Sequence, residues 1–215
     1  PGGAPPKPRP ADAAMRPAPS YGEGFAFVRG NGTLWRLFLI AFCGIAAFAS
    51  MEAVFGLWTG RNFGWTAHEV GLTFLAIGGA GLLVQLFLIG PLVSRFGEAG
   101  VIMLGLGVLI VATLAIPIAR LPAATVVFMA LLMVGHSLAF PNAGALVSRN
   151  TPPHAQGSVM GLNMASNALS RIVGPPLFGW IYGLSADLPY FACAAMIAAM
   201  LPVSWSVWQR TRRSS

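Results

Sequence analysis

Glu52 and Arg171 are the two residues whose chemistry stands out most from their surroundings. Each is a full charge in the interior of a long apolar run, and no other carboxylate or arginine lies so far from the ends of a run. Burial favours a neutral carboxylic acid, whereas a nearby arginine favours the carboxylate. A carboxyl group held between those influences can take up and release a proton. The competing reading is a static ion pair in which each charge lowers the other's cost of burial. His136 is a third candidate, accompanied by Ser137 and Asn142 and by Gly135, Pro141 and Gly144. A lone histidine among apolar residues is more often a satisfied structural donor; its alternative is to carry a proton near neutral pH.

Arg171 lies within "NALSRIVGPPLFGW", residues 167–180. Asn163, Asn167, Ser170 and Arg171 step by four, three and one, which places them on one face of a helix. Leu162, Leu169, Ile172 and Val173 take the other side. Such a polar stripe is either interhelical hydrogen bonding or the lining of a wet cavity. Pro175 has no N–H for the carbonyl of Arg171, and Pro176 has none for that of Ile172. A helix here bends or is satisfied by neighbours, and Gly174 admits another backbone. Gly157 with Gly161, and Gly179 with Gly183, are small-residue pairs expected to promote close helix packing.

The elements that position these residues follow from composition. Of the 215 residues, 56% are hydrophobic and 9% charged; a soluble domain carries about a quarter charged residues. The chain lacks polar surface rather than core, so its solvent is the lipid bilayer. Apolar runs fill roughly 34–58, 70–93, 99–119, 122–147, 157–183 and 189–208. Each is long enough to cross about 30 Å of hydrocarbon as a helix. The expectation is an all-α membrane protein, a six-transmembrane-helix bundle over 34–208. Residues 1–33 are expected to be a disordered Pro/Ala/Gly-rich linker, and 209–215 a basic tail. No signal peptide or initiator methionine opens the chain, which begins Pro1-Gly2-Gly3; a piece of a longer protein is expected.

The net charge of +7 does not point to nucleic acid, because the basic residues sit in tails and short gaps. Ten lie on one side: Lys7, Arg9, Arg16, Arg29, Arg36, Arg95, Arg149, Arg210, Arg212 and Arg213. Only Arg61 and Arg120 lie on the other. The excess places both termini in the cytoplasm and the chain in an inner or plasma membrane. Within one gap, Thr66-Ala67-His68-Glu69 fits a capping box, so His68 and Glu69 read as helix-start residues. Cys43 and Cys193 read as small apolar residues, with no metal spacing, and no cofactor is expected.

The gap after the second run reads "GPLVSRFGEAG". Gly90, Leu92, Arg95 and Gly97 resemble the loop signature G-x-L-x-D-R-x-G of the major facilitator superfamily, with Ser94 at the aspartate position and Glu98 where a basic residue is usual. "RNFGWTAHEVGL" with Gln85, "ALVSRNTPPHAQGSVMG" and "IVGPPLFGWIY" follow in the order and spacing of tetracycline-efflux-like drug:proton antiporters. The resemblance covers most of residues 55–183. It implies the C-terminal six-helix half of such a fold, with the N-terminal half missing as its partner. It also implies a secondary active transporter, an antiporter for efflux of a drug or small metabolite. Gln85 joins Asn142, Asn163, Asn167, Ser170 and Arg171 as substrate-pathway candidates. Glu52 and His136 are proton-coupling candidates, and Gly90, Arg95, Gly97, Gly174 and Pro175 are loop-signature or gating candidates. Phe55, Trp58 and Phe140 offer aromatic surface for a flat ligand, with Trp58 also read as an interfacial anchor.

Other function classes fare less well. No phosphate-binding loop is present, so ATP drive has no support. A membrane sensor or scaffold subunit is the competing reading. An intramembrane enzyme needs a nucleophile and base at one depth, and only His136 with a neighbouring serine hints at that, so no enzyme is expected. Counting from the cytoplasmic entrances, Glu52 and Arg171 differ in depth by roughly 6 Å, which predicts that they pair if their helices are neighbours.

Overall fold

The computed structural model describes residues 21–119 and 121–214, and among them there is no strand. The helices are α1 (Tyr21–Gly30), α2 (Gly32–Phe63), α3 (Ala67–Leu83), α4 (Ile89–Ala115), α5 (Pro122–Arg149), α6 (Gln156–Leu184), α7 (Leu188–Ala198) and α8 (Leu201–Ser214). A π-helical turn, Val84–Leu88, joins α3 to α4.

Four helical stretches are long and apolar enough to cross a membrane: Gly32–Phe63, Ala67–Ile118, Pro122–Arg149 and Leu188–Arg212. The second has 52 residues. Straight, it would reach about 78 Å, well over twice a hydrocarbon core of about 30 Å. It is not straight, because Gly97 has φ 71° and ψ 163°. Only glycine takes that conformation readily, so the stretch is two spans that meet at Gly97. α6 has comparable length, 29 residues, but its asparagines, serines, Arg171 and paired prolines dilute its apolar character. α7 and α8 together supply the last span. Six crossings result, divided where the sequence places its polar gaps.

Side-chain caps set the helix starts. The Asn31 side chain accepts from the N–H of Thr33 and Leu34 at 3.0 and 3.3 Å. At the start of α3, Thr66 and Glu69 form the expected capping box. At the end of α2, Gly64 adopts φ 66° and donates its N–H to Gly60 O at 3.0 Å.

One expectation about the tails needs correction. Residues 21–30 of the linker are helical rather than disordered, and Val28 is fully buried. α1 packs on α6, with Gly24 against Ser158. Residues 1–20 lie outside the described residues. Helix α8 runs on through the basic tail to Ser214.

Packing is tightest between α4 and α5 and between α2 and α6. A β-carbon on Gly105 would stand 2.7 Å from Gly135 O and Ala139 N, and one on Gly135 would stand 2.8 Å from Gly105 O. Two backbones meet there, as small residues permit in lipid. Gly44 faces the Phe140 ring, which fills the space a side chain would need. The expected pairs Gly157/Gly161 and Gly179/Gly183 do not serve this purpose, since space is open beside Gly157, Gly179 and Gly183. Close approach needs a glycine facing a neighbour, and these face outward.

Candidate functional site

The site begins with the contact between α2 and α6. A β-carbon on Gly174 would lie 2.7 Å from Ala46 O and 2.8 Å from Ser50 Oγ. The absence of a side chain therefore sets the helix separation. Ser50 donates to Ala46 O at 2.6 Å, which keeps its hydroxyl folded against its own helix. Glu52 lies two residues beyond Ser50, and Arg171 lies three before Gly174. At this separation their side chains meet: Arg171 Nη1 is 3.9 Å from Glu52 Oε2. The side chains remain 55% and 38% exposed respectively, so the pair borders an open space rather than a sealed core.

His136 comes from α5. Its ring lies between Phe48 of α2 and Phe140 of α5, with centroids at 4.0 and 4.8 Å. Its Nε2 is buried without a hydrogen-bond partner. His136 and Arg171 sit at the midpoints of α5 and α6. Two further unpartnered buried atoms, Asn163 Oδ1 and Asn167 Oδ1, lie on the two turns of α6 before Arg171. Unsatisfied buried polar atoms are uncommon in folded proteins. Three of the five such atoms among the described residues belong to α5 and α6.

The remaining stripe residues are divided between packing and site. Asn163 is 7% exposed, Ser170 is fully buried, and both lie on the packed face of α6 with Gly174 and Phe178. Ser170 donates to Asn167 O at 2.7 Å. Interhelical packing therefore accounts for Ser170, while Asn163 and Asn167 retain unused acceptors. Asn142 is buried and donates to Leu138 O at 2.7 Å, one turn back on α5. Pro175 and Pro176 lie inside α6, which continues helical through both. Gln85 is exposed on the π-helical turn and, among the described residues, has no hydrogen bond to the charged pair.

The aromatic residues expected to offer ligand surface do not. Phe55 and Trp58 are fully enclosed or nearly so, and Phe140 covers Gly44. Trp58 is a core residue rather than an interfacial anchor. Its Nε1 donates to Asp187 Oδ1 at 2.7 Å, tying α2 to the turn before α7. Asp187 is one of six acidic residues in the chain, and that scarcity was the signal that it has a partner.

At the opposite end of the bundle, the loop signature has a definite geometry. Gly97 makes the break, and Gly90 is exposed with open space beside it. The Arg95 guanidinium lies 5.5 Å from the centre of the Phe96 ring. Ser94, at the aspartate position, donates to Pro91 O at 2.8 Å. Glu98 binds Arg149 at 3.1 Å, joining the loop to the end of α5. Gln156 donates to Ser148 Oγ at 2.7 Å across the following connection. Sequence reasoning did not find the Glu98–Arg149 pair, although opposite charges in two gaps on the same side were visible.

Comparison with known proteins agrees with this architecture. Residues 37–215 match the Major Facilitator Superfamily. The chain is 30% identical over 170 residues to "Tetracycline resistance protein, class C" of Escherichia coli, covering 74% of this chain and 41% of that protein. It is 29% identical over 161 residues to the class G protein of Vibrio anguillarum, covering 74% and 39%. It is 27% identical over 172 residues to "Multidrug resistance protein 2" of Bacillus subtilis, covering 78% and 42%. The chain thus spans about two-fifths of the length of these relatives.

Proposed function

Since the chain belongs to the major facilitator superfamily and is a multi-pass integral membrane protein, we propose that it is one half of a secondary transporter. In this reading it exports a drug or small organic metabolite in exchange for protons. Its partner is a second six-helix half, and the substrate passes between the two near the membrane midplane. Both termini lie in the cytoplasm. The names of the tetracycline and multidrug resistance relatives support an export role, and the coverage of two-fifths of their length supports a second half.

The observation that carries the proton-coupled reading is the Glu52–Arg171 contact of 3.9 Å at an open face within an apolar bundle. Ionised Glu52 holds Arg171 and ties α2 to α6. A proton added to the Glu52 carboxylate neutralises it, leaves Arg171 as the uncompensated charge and releases that arginine for a polar substrate group or the other half. Asn163, Asn167 and His136 supply hydrogen bonds to that space, and Gln85 and Asn142 extend the pathway. His136 serves as a second proton-carrying group. Gly97 and the Gly174–Pro175 step are the positions at which the helices pivot, with Gly90 and Arg95 holding the loop beside the first.

The test uses everted membrane vesicles containing the protein together with its second half. An imposed proton gradient should drive uptake of a fluorescent drug, and a protonophore should abolish it. Drug movement indifferent to the gradient would reject proton coupling. No drug-dependent flux with correctly inserted protein would reject the drug-export reading.

A further inference from the structure

A second site lies away from the charged pair, where α4, α5 and α8 meet at the end of the bundle that carries Gly97. Gly100, Leu104, Gly107 and Val111 of α4 form the floor of an apolar groove of about 530 Å³, with Leu131 of α5 and Trp208 of α8 as walls. Residues 100–111 rise about 16 Å along the helix. That is about half of a roughly 30 Å hydrocarbon core, the depth of one leaflet. Leu104 and Val111 are 43% and 61% exposed, so the groove opens outward to the bilayer. A β-carbon on Gly107 would meet nothing within 4 Å, so its backbone leaves the slot open.

The groove continues through Phe96, Trp208 and Arg212 into a polar mouth of about 440 Å³. Glu98, Arg149 and Arg212 line that mouth. Arg149 is paired with Glu98 at 3.1 Å but keeps 73% of its side chain exposed. The Arg212 guanidinium stacks over Trp208, 4.2 Å from the ring centre. Two arginines, Arg149 and Arg212, against one carboxylate leave a net positive mouth above an apolar slot of leaflet depth.

We infer that this groove binds an anionic phospholipid, with one acyl chain along α4 and the phosphate at Arg149 and Arg212. A free anion has no use for the slot, and a zwitterionic lipid gains little from the net charge of the mouth. Basic pockets between spanning helices are suited to such headgroups, each arginine being worth about five-fold in affinity. The ligand would bridge the end of α5, the start of the second α4 segment and the end of α8. This inference does not depend on the transported substrate.

The intact membrane protein, purified in mild detergent, is titrated with phosphatidylglycerol or with phosphatidylcholine of the same chains. Retained lipid is counted by native mass spectrometry. Wild type should retain phosphatidylglycerol with about ten-fold or greater preference, as two arginines at about five-fold each allow. Arg212→Gln should reduce that preference by about five-fold. Gly107→Leu, which fills the open slot, should reduce retention of both lipids. Arg61→Gln, at the opposite end, should change neither. Absence of headgroup preference in wild type would overturn the proposal. So would unchanged retention in both groove variants, or displacement of the lipid by glycerol phosphate alone, which would identify a free-anion site. A protein dimer lost on Gly107→Leu, with lipid retention unaffected, would assign the groove to a second copy and also overturn it.

Discussion

Gly174 of α6 lies so close to α2 that a β-carbon would stand 2.7 Å from the carbonyl oxygen of Ala46. The obstacle is backbone, which cannot rotate away as a side chain can. One turn of α6 before this point Arg171 reaches Glu52, so the glycine is what holds the charged pair in register. Gly174→Ala should cost about 1–3 kcal/mol as an overpacked contact, read by unfolding in detergent. Gly179→Ala, with open space around it, should fall within about 0.5 kcal/mol of wild type. Equal effects at the two positions would contradict the packing argument.

Trp58 and Asp187 make a second long-range tie, with 2.7 Å between indole nitrogen and carboxylate oxygen. The indole is 1% exposed. Asp187→Ala leaves its N–H without a partner, which should cost about 1–3 kcal/mol. Asp187→Asn keeps an acceptor and should recover most of that loss. Unfolding of both variants, followed by tryptophan fluorescence, checks the order.

The proposed membrane orientation, with both termini in the cytoplasm, rests on ten basic residues on one side against Arg61 and Arg120 on the other. Single cysteines introduced as Pro10→Cys and Arg212→Cys should be labelled by an impermeant reagent only from the cytoplasm. Asn62→Cys should be labelled only from outside. Cys193 is fully buried and Cys43 partly so, and a Cys43→Ser background removes the more accessible of the two. Labelling of Pro10→Cys and Asn62→Cys from the same side would contradict the orientation.

Much of the fold was legible because lipid leaves few alternatives. Long apolar runs must be helices, and the gaps between them carry the turn and cap chemistry: Asn31, Gly64, Thr66 and Gly97 all act where the sequence places a boundary. Helix α1 was hidden because "YGEGFAFVRG" has two internal glycines and follows directly on a Pro-rich stretch; its stability comes from packing Val28 and Gly24 against the bundle, which propensity does not register. The match in depth of Glu52 and Arg171 was legible, but their contact also required α2 and α6 to be neighbours, which depth does not reveal and the structure shows. The separate roles of Asn163, Ser170 and Asn167 were not legible. They share a helical face, and only the position of α2 shows which part of that face is closed by packing. The Gly105–Gly135 approach was invisible for a related reason, because it joins two helices and no spacing within one helix can reveal it.

The most direct test of the account is a double-mutant cycle on the charged pair, made in the protein together with its second half. Glu52→Gln, Arg171→Ala and the double variant are compared for membrane abundance and for protons released per drug transported. Pairing predicts that each single change leaves the other charge stranded, so the double variant should be milder than the sum of the singles, by about 0.5–3 kcal/mol. Glu52→Gln should still insert in amounts sufficient to assay, yet lose proton exchange. Strictly additive losses, together with unchanged proton exchange in Glu52→Gln, would contradict the claim that this pair couples protons to transport.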